Sequence, residues 1–238
     1  MRRSQTDRRA DAEGAFVQRF RQSAVDRHSL FNGFRAVAAL VLRAWLRIYH
    51  RFEIVGHEQL RTNRSLVIVA NHCSHLDTLC LLAALPLTKL RHAFPAAASD
   101  YFFRRVPRTW MVAMINALPF GRRAHVRRSL SICSEVIGKP GNILIIFPEG
   151  TRSTTGEMQR FKIGIAALVA GRDVTVVPCC LEGAHRAWPK GQRFPRPRKI
   201  RLIVGPPRTY VSCGSDRTDL CFITCDLHDA IQNLGRAS

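Results

Sequence analysis

The residues best equipped for chemistry stand in the segment NHCSHLD, residues 71–77, a polar knot that interrupts two apolar runs. His72 and Asp77 are separated by four residues, which lets the histidine leave a strand while the aspartate returns on the first turn of a following helix. A carboxylate bonded to one imidazole nitrogen leaves the other to accept a proton, and an ordinary imidazole pKa of about 6.5 suits that task near neutral pH. Ser74 and Asp77 also have capping-box spacing, so the same aspartate could serve only as a helix cap. Cys73 offers a thiol next to His72, although neighbouring side chains on a turning backbone usually diverge. His72, His75 and Asp77 together are plausible ligand types for a hydrolytic zinc site.

A second polar loop follows the run NILIIF. In FPEGTRS, residues 147–153, Glu149 and Arg152 flank Gly150, where close backbone approach and a fork-shaped guanidinium can hold phosphate oxygens. Lys162, ten residues beyond Arg152, adds a compact positive charge near the start of an apolar helix. A zinc site at residues 72–77 would leave this loop without a purpose. A substrate carrying both a phosphate and a reactive hydroxyl would use both loops.

The elements that must position these loops are legible as runs. FEIVG, SLVIVA, NILIIF, VTVVPCCL and KIRLIVG read as strands, and DTLCLLAAL, VRRSLSICSEVI and GIAALVA as the helices among them. Strands apolar on both sides and alternating with helices predict an α/β domain with a largely parallel central sheet flanked by helices. Such sheets bind ligands beyond the carboxyl ends of their strands, where both polar loops begin. The expected organisation is an N-terminal arm and amphipathic segment over residues 1–51 and an α/β domain over 52–238.

The 238-residue chain carries a formal charge of +20, with a pI of about 11.1. An excess of this size points to anionic partners, either a membrane surface or nucleic acid. Basic residues concentrate at Arg104, Arg105, Arg108, Arg122, Arg123, Arg127 and Arg128, and again from Arg186 to Arg208, where no acid intervenes. A basic nucleic-acid-binding protein would account for the charge but not for the His/Asp spacing, and neither an RNA-recognition aromatic pattern nor zinc-finger spacing occurs. Arginines interrupt every stretch that approaches the roughly 18 to 20 apolar residues of a membrane span. The segment at 30–52 instead mixes Phe34, Trp45 and aliphatic residues with Arg35, Arg43, Arg47 and Arg51. That composition suits a helix lying in a bilayer interface, or one packed on its own domain. The eight cysteines form no CxxC pair, and no cleavable signal peptide is visible, which favours reduced thiols in a cytosol.

Taken in order, these segments resemble the glycerolipid acyltransferase family that includes the lysophosphatidic acid acyltransferases. NHCSHLD fits its NHxxxxD block, ALPFGR is similar to the second block, FPEGTRS matches the third and VTVVPCCLEG resembles the fourth with Pro178. IVGHEQL is similar to the weaker pattern ahead of the first block, and the set spans roughly residues 53–207. The resemblance implies the glycerophosphate acyltransferase-like fold, His72 as general base and Asp77 as its orienting partner. It implies Arg122, Glu149, Gly150 and Arg152 as binders of the acceptor's glycerol phosphate, with Pro178 shaping the donor site. Gly121 stands where an acidic or polar residue is frequent in the second block, and Arg123 follows directly, so either arginine could meet the phosphate. The implied reaction moves a fatty acyl group from an acyl-CoA or acyl carrier protein thioester to a lysophospholipid hydroxyl, foremost that of lysophosphatidic acid, giving phosphatidic acid. It calls for no metal and no resident cofactor. The implied setting is the cytoplasmic face of an anionic membrane, with the enzyme bound peripherally and without a specific nucleic-acid partner.

Overall fold

The computed structural model describes residues 29–62, 64–98, 118–120 and 126–236. The arm at 1–28, and Arg104, Arg105, Arg108, Arg122 and Arg123, lie outside the described residues. The chain divides into two compact units, Met1–Ala38 and Ala39–Ser238.

Helix α1 (Ser29–Tyr49) crosses that division and leads into strand β1 (Glu53–Val55). There follow β2 (Leu66–Ala70), α2 (Asp77–Ala84), β3 (Ala93–Ala98), β4 (Leu118–Phe120), α3 (Val126–Ile137) and β5 (Ile143–Ile146). The chain closes with α4 (Gly164–Val169), β6 (Thr175–Glu182), a short α5 (Ala184–Ala187), β7 (Arg201–Val204) and α6 (Arg217–Arg236). The strands form one sheet in the order β1-β7-β6-β2-β5-β3-β4. Every pairing between these strands is parallel except β6 with β7, and two isolated bridges, Ser74 with Pro189 and Val176 with Arg208, are antiparallel. The expected α/β architecture with a largely parallel sheet is the one observed.

All five residues of β2 are buried, because the strand is central and covered on both faces. Leu66, Ile68 and Ala70 join a core with Ile143 and Ile145 of β5, Leu81 of α2 and Leu46 of α1. By strand alternation Val67 and Val69 turn to the opposite face, where α3 meets β5 and α6 meets β6. Helix α6 buries Ile223, Leu227 and Ile231, a four-residue repeat that sets one stripe against the sheet. Helix α2 ends where Leu85, extended at ψ 147° ahead of Pro86, leaves the helical region. The Arg43 guanidinium donates from Nε to the Ala83 carbonyl at 2.9 Å and from Nη2 to that of Leu85, satisfying carbonyls that the helix end exposes.

Helix α1 thus packs on its own domain through Ala39, Leu42, Trp45 and Leu46. It also leaves Leu40, Val41 and Ile48 exposed. The packing reading of its composition holds for one face, and the other face is exposed. Among the described residues no helix is long and apolar enough to cross a membrane.

Where β2 leaves the sheet, Asn71 takes over its pairing. Its Nδ2 donates to the Leu181 carbonyl at 3.0 Å, and its Oδ1 accepts the Leu181 N–H at 2.8 Å. The buried side-chain amide stands in for a peptide group, continuing the β2–β6 pairing beyond Ala70 and Cys179. Asn71→Ala would leave both groups of Leu181 unpaired, and is expected to cost about 2 kcal/mol in urea unfolding.

Candidate active site

His72 is fixed at both its backbone and its ring. Its N–H donates to Glu149 Oε1 at 2.7 Å, and its carbonyl accepts the Ser153 N–H at 2.8 Å. Both partners come from the FPEGTRS loop. The two loops meet because β2 and β5 are parallel neighbours, Val69 opposite Ile146, so their carboxyl ends lie side by side. The imidazole stacks on Phe147, with ring centroids 4.1 Å apart and planes 17° from parallel.

Nδ1 of His72 lies 2.8 Å from Asp77 Oδ2. An ionised carboxylate can only accept, so this contact assigns the proton to Nδ1 and leaves Nε2 as the basic nitrogen. Nε2 has no hydrogen-bond partner among the described residues. Asp77 is fully buried, and the same Oδ2 accepts the N–H groups of Cys73 at 2.7 Å and Ser74 at 2.8 Å. These donors replace the hydrogen bonds that burial takes from water. The cap position of α2 is Leu76, so Ser74 and Asp77 do not form the capping box their spacing allows; the Asp77 carboxylate organises the turn ahead of the helix while it orients the imidazole.

Glu149 is 3% exposed and uses both oxygens on backbone, the second accepting the Gln159 N–H at 3.1 Å. Burial pushes its carboxyl up to about 7, against the pull of the His72 and Gln159 N–H groups and with the help of nearby Asp77. Expected to help bind acceptor phosphate, it spends both oxygens on backbone N–H groups, one of them that of His72.

Gly150 has φ 72°, a left-handed conformation that lets the chain turn directly after the strand. A Cβ there would come within 2.5 Å of Lys162 Nζ, so the missing side chain is what admits the lysine to this loop. Nη1 of Arg152 lies 2.6 Å from both ring nitrogens of His75, which brings the guanidinium to the His72 segment. The structure therefore assembles His72, Asp77, Glu149, Gly150, Arg152 and Lys162 around the ends of β2 and β5, whereas Arg122 lies outside the described residues. Sequence reasoning missed three supports. Phe147 ends an apolar run and looks like any core residue, Asn71 is a lone amide, and Trp188 is a single aromatic in a basic stretch. The Trp188 carbonyl accepts the Ser74 hydroxyl at 2.8 Å and the His75 N–H at 3.3 Å, and its ring lies 5.0 Å from that of His75.

A thiol nucleophile does not fit this arrangement. Burial foremost, with the Asp77 and Glu149 charges, pushes the Cys73 thiol far above its ordinary range, so a thiolate nucleophile is disfavoured. Among the described residues no group of three His, Cys, Asp or Glu side chains is placed to hold a metal ion.

Comparison with known proteins agrees with the geometry. The family model described as Acyltransferase matches residues 51–182, and the chain belongs to that family. The 1-acyl-sn-glycerol-3-phosphate acyltransferase of Limnanthes alba is 29% identical over 176 residues, covering 70% of this chain and 58% of the relative. The chloroplastic LPAT1 of Arabidopsis thaliana, of the same name, is 30% identical over 193 residues, covering 76% of this chain and 52% of the relative. The alpha enzyme of Mus musculus is 27% identical over 182 residues, with 74% and 61% covered. The chain thus spans between about half and three fifths of these relatives' length. The crystal structure of the 1-acyl-sn-glycerophosphate acyltransferase PlsC from Thermotoga maritima shares the fold, with a TM-score of 0.64 at 21% identity over 92% of this chain and 86% of that one.

Two measurements check the site. Thiol labelling of the native protein, read by intact mass, is expected to mark the exposed Cys221 and Cys225, with Cys213 slower and the buried Cys73, Cys80, Cys133, Cys179 and Cys180 protected. For Glu149, the folded pKa of about 7 lies above the ordinary 4.5, so the native state binds the extra proton between those values and stability falls as pH rises through that window. Urea unfolding at about pH 5 and about pH 7.5 should show the wild type losing roughly 2 kcal/mol more than Glu149→Gln, which has no carboxyl to titrate.

Proposed function

We propose that this protein is an O-acyltransferase that moves a fatty acyl group from an acyl-CoA or acyl carrier protein thioester to the free hydroxyl of lysophosphatidic acid, forming phosphatidic acid. One observation carries the reading: an imidazole held by a buried carboxylate shares its loop with an arginine that reaches across from FPEGTRS. The names of the relatives supply the acceptor. Nε2 of His72 removes the hydroxyl proton as the oxygen attacks the thioester carbonyl. The new C–O bond forms, the C–S bond breaks, and the imidazolium returns the proton to the departing thiolate. The thioester is already activated, so no acyl-enzyme is needed. Asp77 keeps Nε2 basic and correctly turned; Arg152 and Lys162, with Arg122 of the second block, supply positive charge for the acceptor's phosphate. General-base assistance is worth about 10² to 10⁴ in rate, and the remainder comes from positioning two bound substrates.

The acceptor and the acyl chain are lipidic, and the exposed apolar side chains of α1 together with its arginines favour work at an anionic membrane surface. Free thiol released by purified protein from acyl-CoA, or from acylated carrier protein, tests the reading against a panel of acceptors. His72→Ala is expected to lose at least about 10²-fold in kcat, and Asp77→Asn a similar factor. Arg152→Ala should raise KM for lysophosphatidic acid by about ten-fold or more, with little change for a phosphate-free monoacylglycerol. Full transfer by His72→Ala, or turnover confined to phosphate-free acceptors, would overturn it.

A further inference from the structure

Between α5 and β7 the chain runs through WPKGQRFPRPRK, residues 188–199, which contains no acidic residue. The segment is anchored along most of its length. Trp188 Nε1 donates to the Gln192 carbonyl at 3.0 Å, and the Arg196 N–H donates to the Ala187 carbonyl at 2.8 Å. Tyr49 at the end of α1 donates its hydroxyl to the Pro195 carbonyl at 3.1 Å. The buried His50 lies with Nδ1 3.2 Å from the Arg198 carbonyl. Pro195 and Pro197 fix their own φ and keep the residues before them extended. At the tip stands Phe194, 70% exposed, with the Arg193 guanidinium 5.4 Å from its ring centroid.

The bonds from Tyr49 and His50 set this tip beside the end of α1. On that helix Leu40, Val41, Ala44 and Ile48 follow the three- and four-residue spacing of one stripe and are all exposed, Ile48 by 81%. The stripe extends about 12 Å along the axis. Arg47 and Arg51 near the helix end, and Arg193, Arg196 and Arg198 on the loop, are exposed as well, whereas Lys199 is paired with Glu53 at 2.7 Å. Apolar side chains bordered by cations, with no acid within the loop, match a bilayer interface, where an aromatic ring passes below the phosphate plane and guanidinium groups stay in it. An acidic protein would pair with the arginines but gives the protruding phenylalanine no place.

We propose that the 193–198 loop, with Phe194 as its inserting side chain, is a second membrane contact that joins the exposed stripe of α1 in a single face for an anionic lipid bilayer. This rests on the reading of a membrane-surface acyltransferase and adds where the bilayer is gripped. The same segment begins at Trp188, whose carbonyl holds Ser74 and His75. Lipid engaged at Phe194 is therefore a short run of chain from the residues flanking the proposed base.

Co-sedimentation of the full chain with vesicles of phosphatidylcholine alone, or with phosphatidylglycerol added, tests the inference without depending on catalysis. Phe194→Ser is expected to weaken partitioning onto the anionic vesicles about ten-fold while leaving thermal unfolding unchanged. The triple variant R193E/R196E/R198E should remove the preference for anionic over neutral vesicles. Turnover of a short-chain, water-soluble donor and acceptor pair by Phe194→Ser should match the wild type. Equal vesicle binding by Phe194→Ser and wild type would overturn the proposal. So would a triple variant that keeps its vesicle binding but loses retention on immobilised acidic carrier protein. A wild type that partitions through Phe194 yet transfers no acyl group would leave the membrane face standing and reject the proposed activity.

Discussion

The hold of the FPEGTRS loop on the backbone of His72 is the constraint from which the site follows. Glu149 takes the N–H, Ser153 supplies a donor to the carbonyl, and Phe147 lies flat against the ring. Only the rotation of the imidazole remains, and Asp77 sets that. An imidazole held in this way, acting as the proposed base, loses little freedom when substrate arrives, which is how positioning becomes rate. The hold is possible only because β2 and β5 are adjacent and parallel, so the sheet topology and the proton acceptor belong to one piece of physics.

This arrangement is costly. Asp77 and Glu149 are both buried, and burial, with the nearby Asp77 charge, pushes the Glu149 carboxyl up to about 7. Apolar residues of similar volume often serve stability as well as or better than buried charges. Two buried acids that each spend an oxygen on one histidine, Glu149 on its backbone N–H and Asp77 on its ring, make sense as positioning groups. They make little sense as fold stabilisers. The same logic separates them from Arg208, whose Nη1 bonds Asp226 at 2.6 and 2.7 Å and which, with Tyr210, fastens the segment after β7 to α6 far along the chain from any of these loops.

Much of this was legible in the sequence because burial on both faces writes strands as continuous apolar runs. SLVIVA and NILIIF became β2 and β5, VRRSLSICSEVI became α3 with the same bounds, and the two polar loops fell at the strand ends. The parts that escaped have physical reasons. Strand β3 reads AFPAAA, alanine-rich with a proline, and β4 has only three residues, so neither carries the β-branched signal that marked the others. The reversal between β6 and β7 arises because the connection through residues 183–200 contains only the short α5, and no sequence periodicity records direction. The acceptor-binding role of Glu149 rests on the family's third block, and the letters of that block do not show what the glutamate's oxygens bond. Its real partners are backbone groups, which have no letter in the sequence.

The position of α1 follows from the same economy. A helix with apolar residues on two faces can bury only one against its own domain, and Leu42, Trp45 and Leu46 take that side. Arginine at 43 spends its charge inward, on the carbonyls that end α2, the helix that begins with Asp77. Its neighbours at 47 and 51 remain outward beside Ile48 and Tyr49. One helix therefore braces the far end of the element carrying Asp77, and turns an apolar stripe to the exterior. An enzyme whose proposed substrates are lipids gains by this. The helix proposed to meet the bilayer and the helix that orients the proposed base share one apolar cluster and the Arg43 guanidinium.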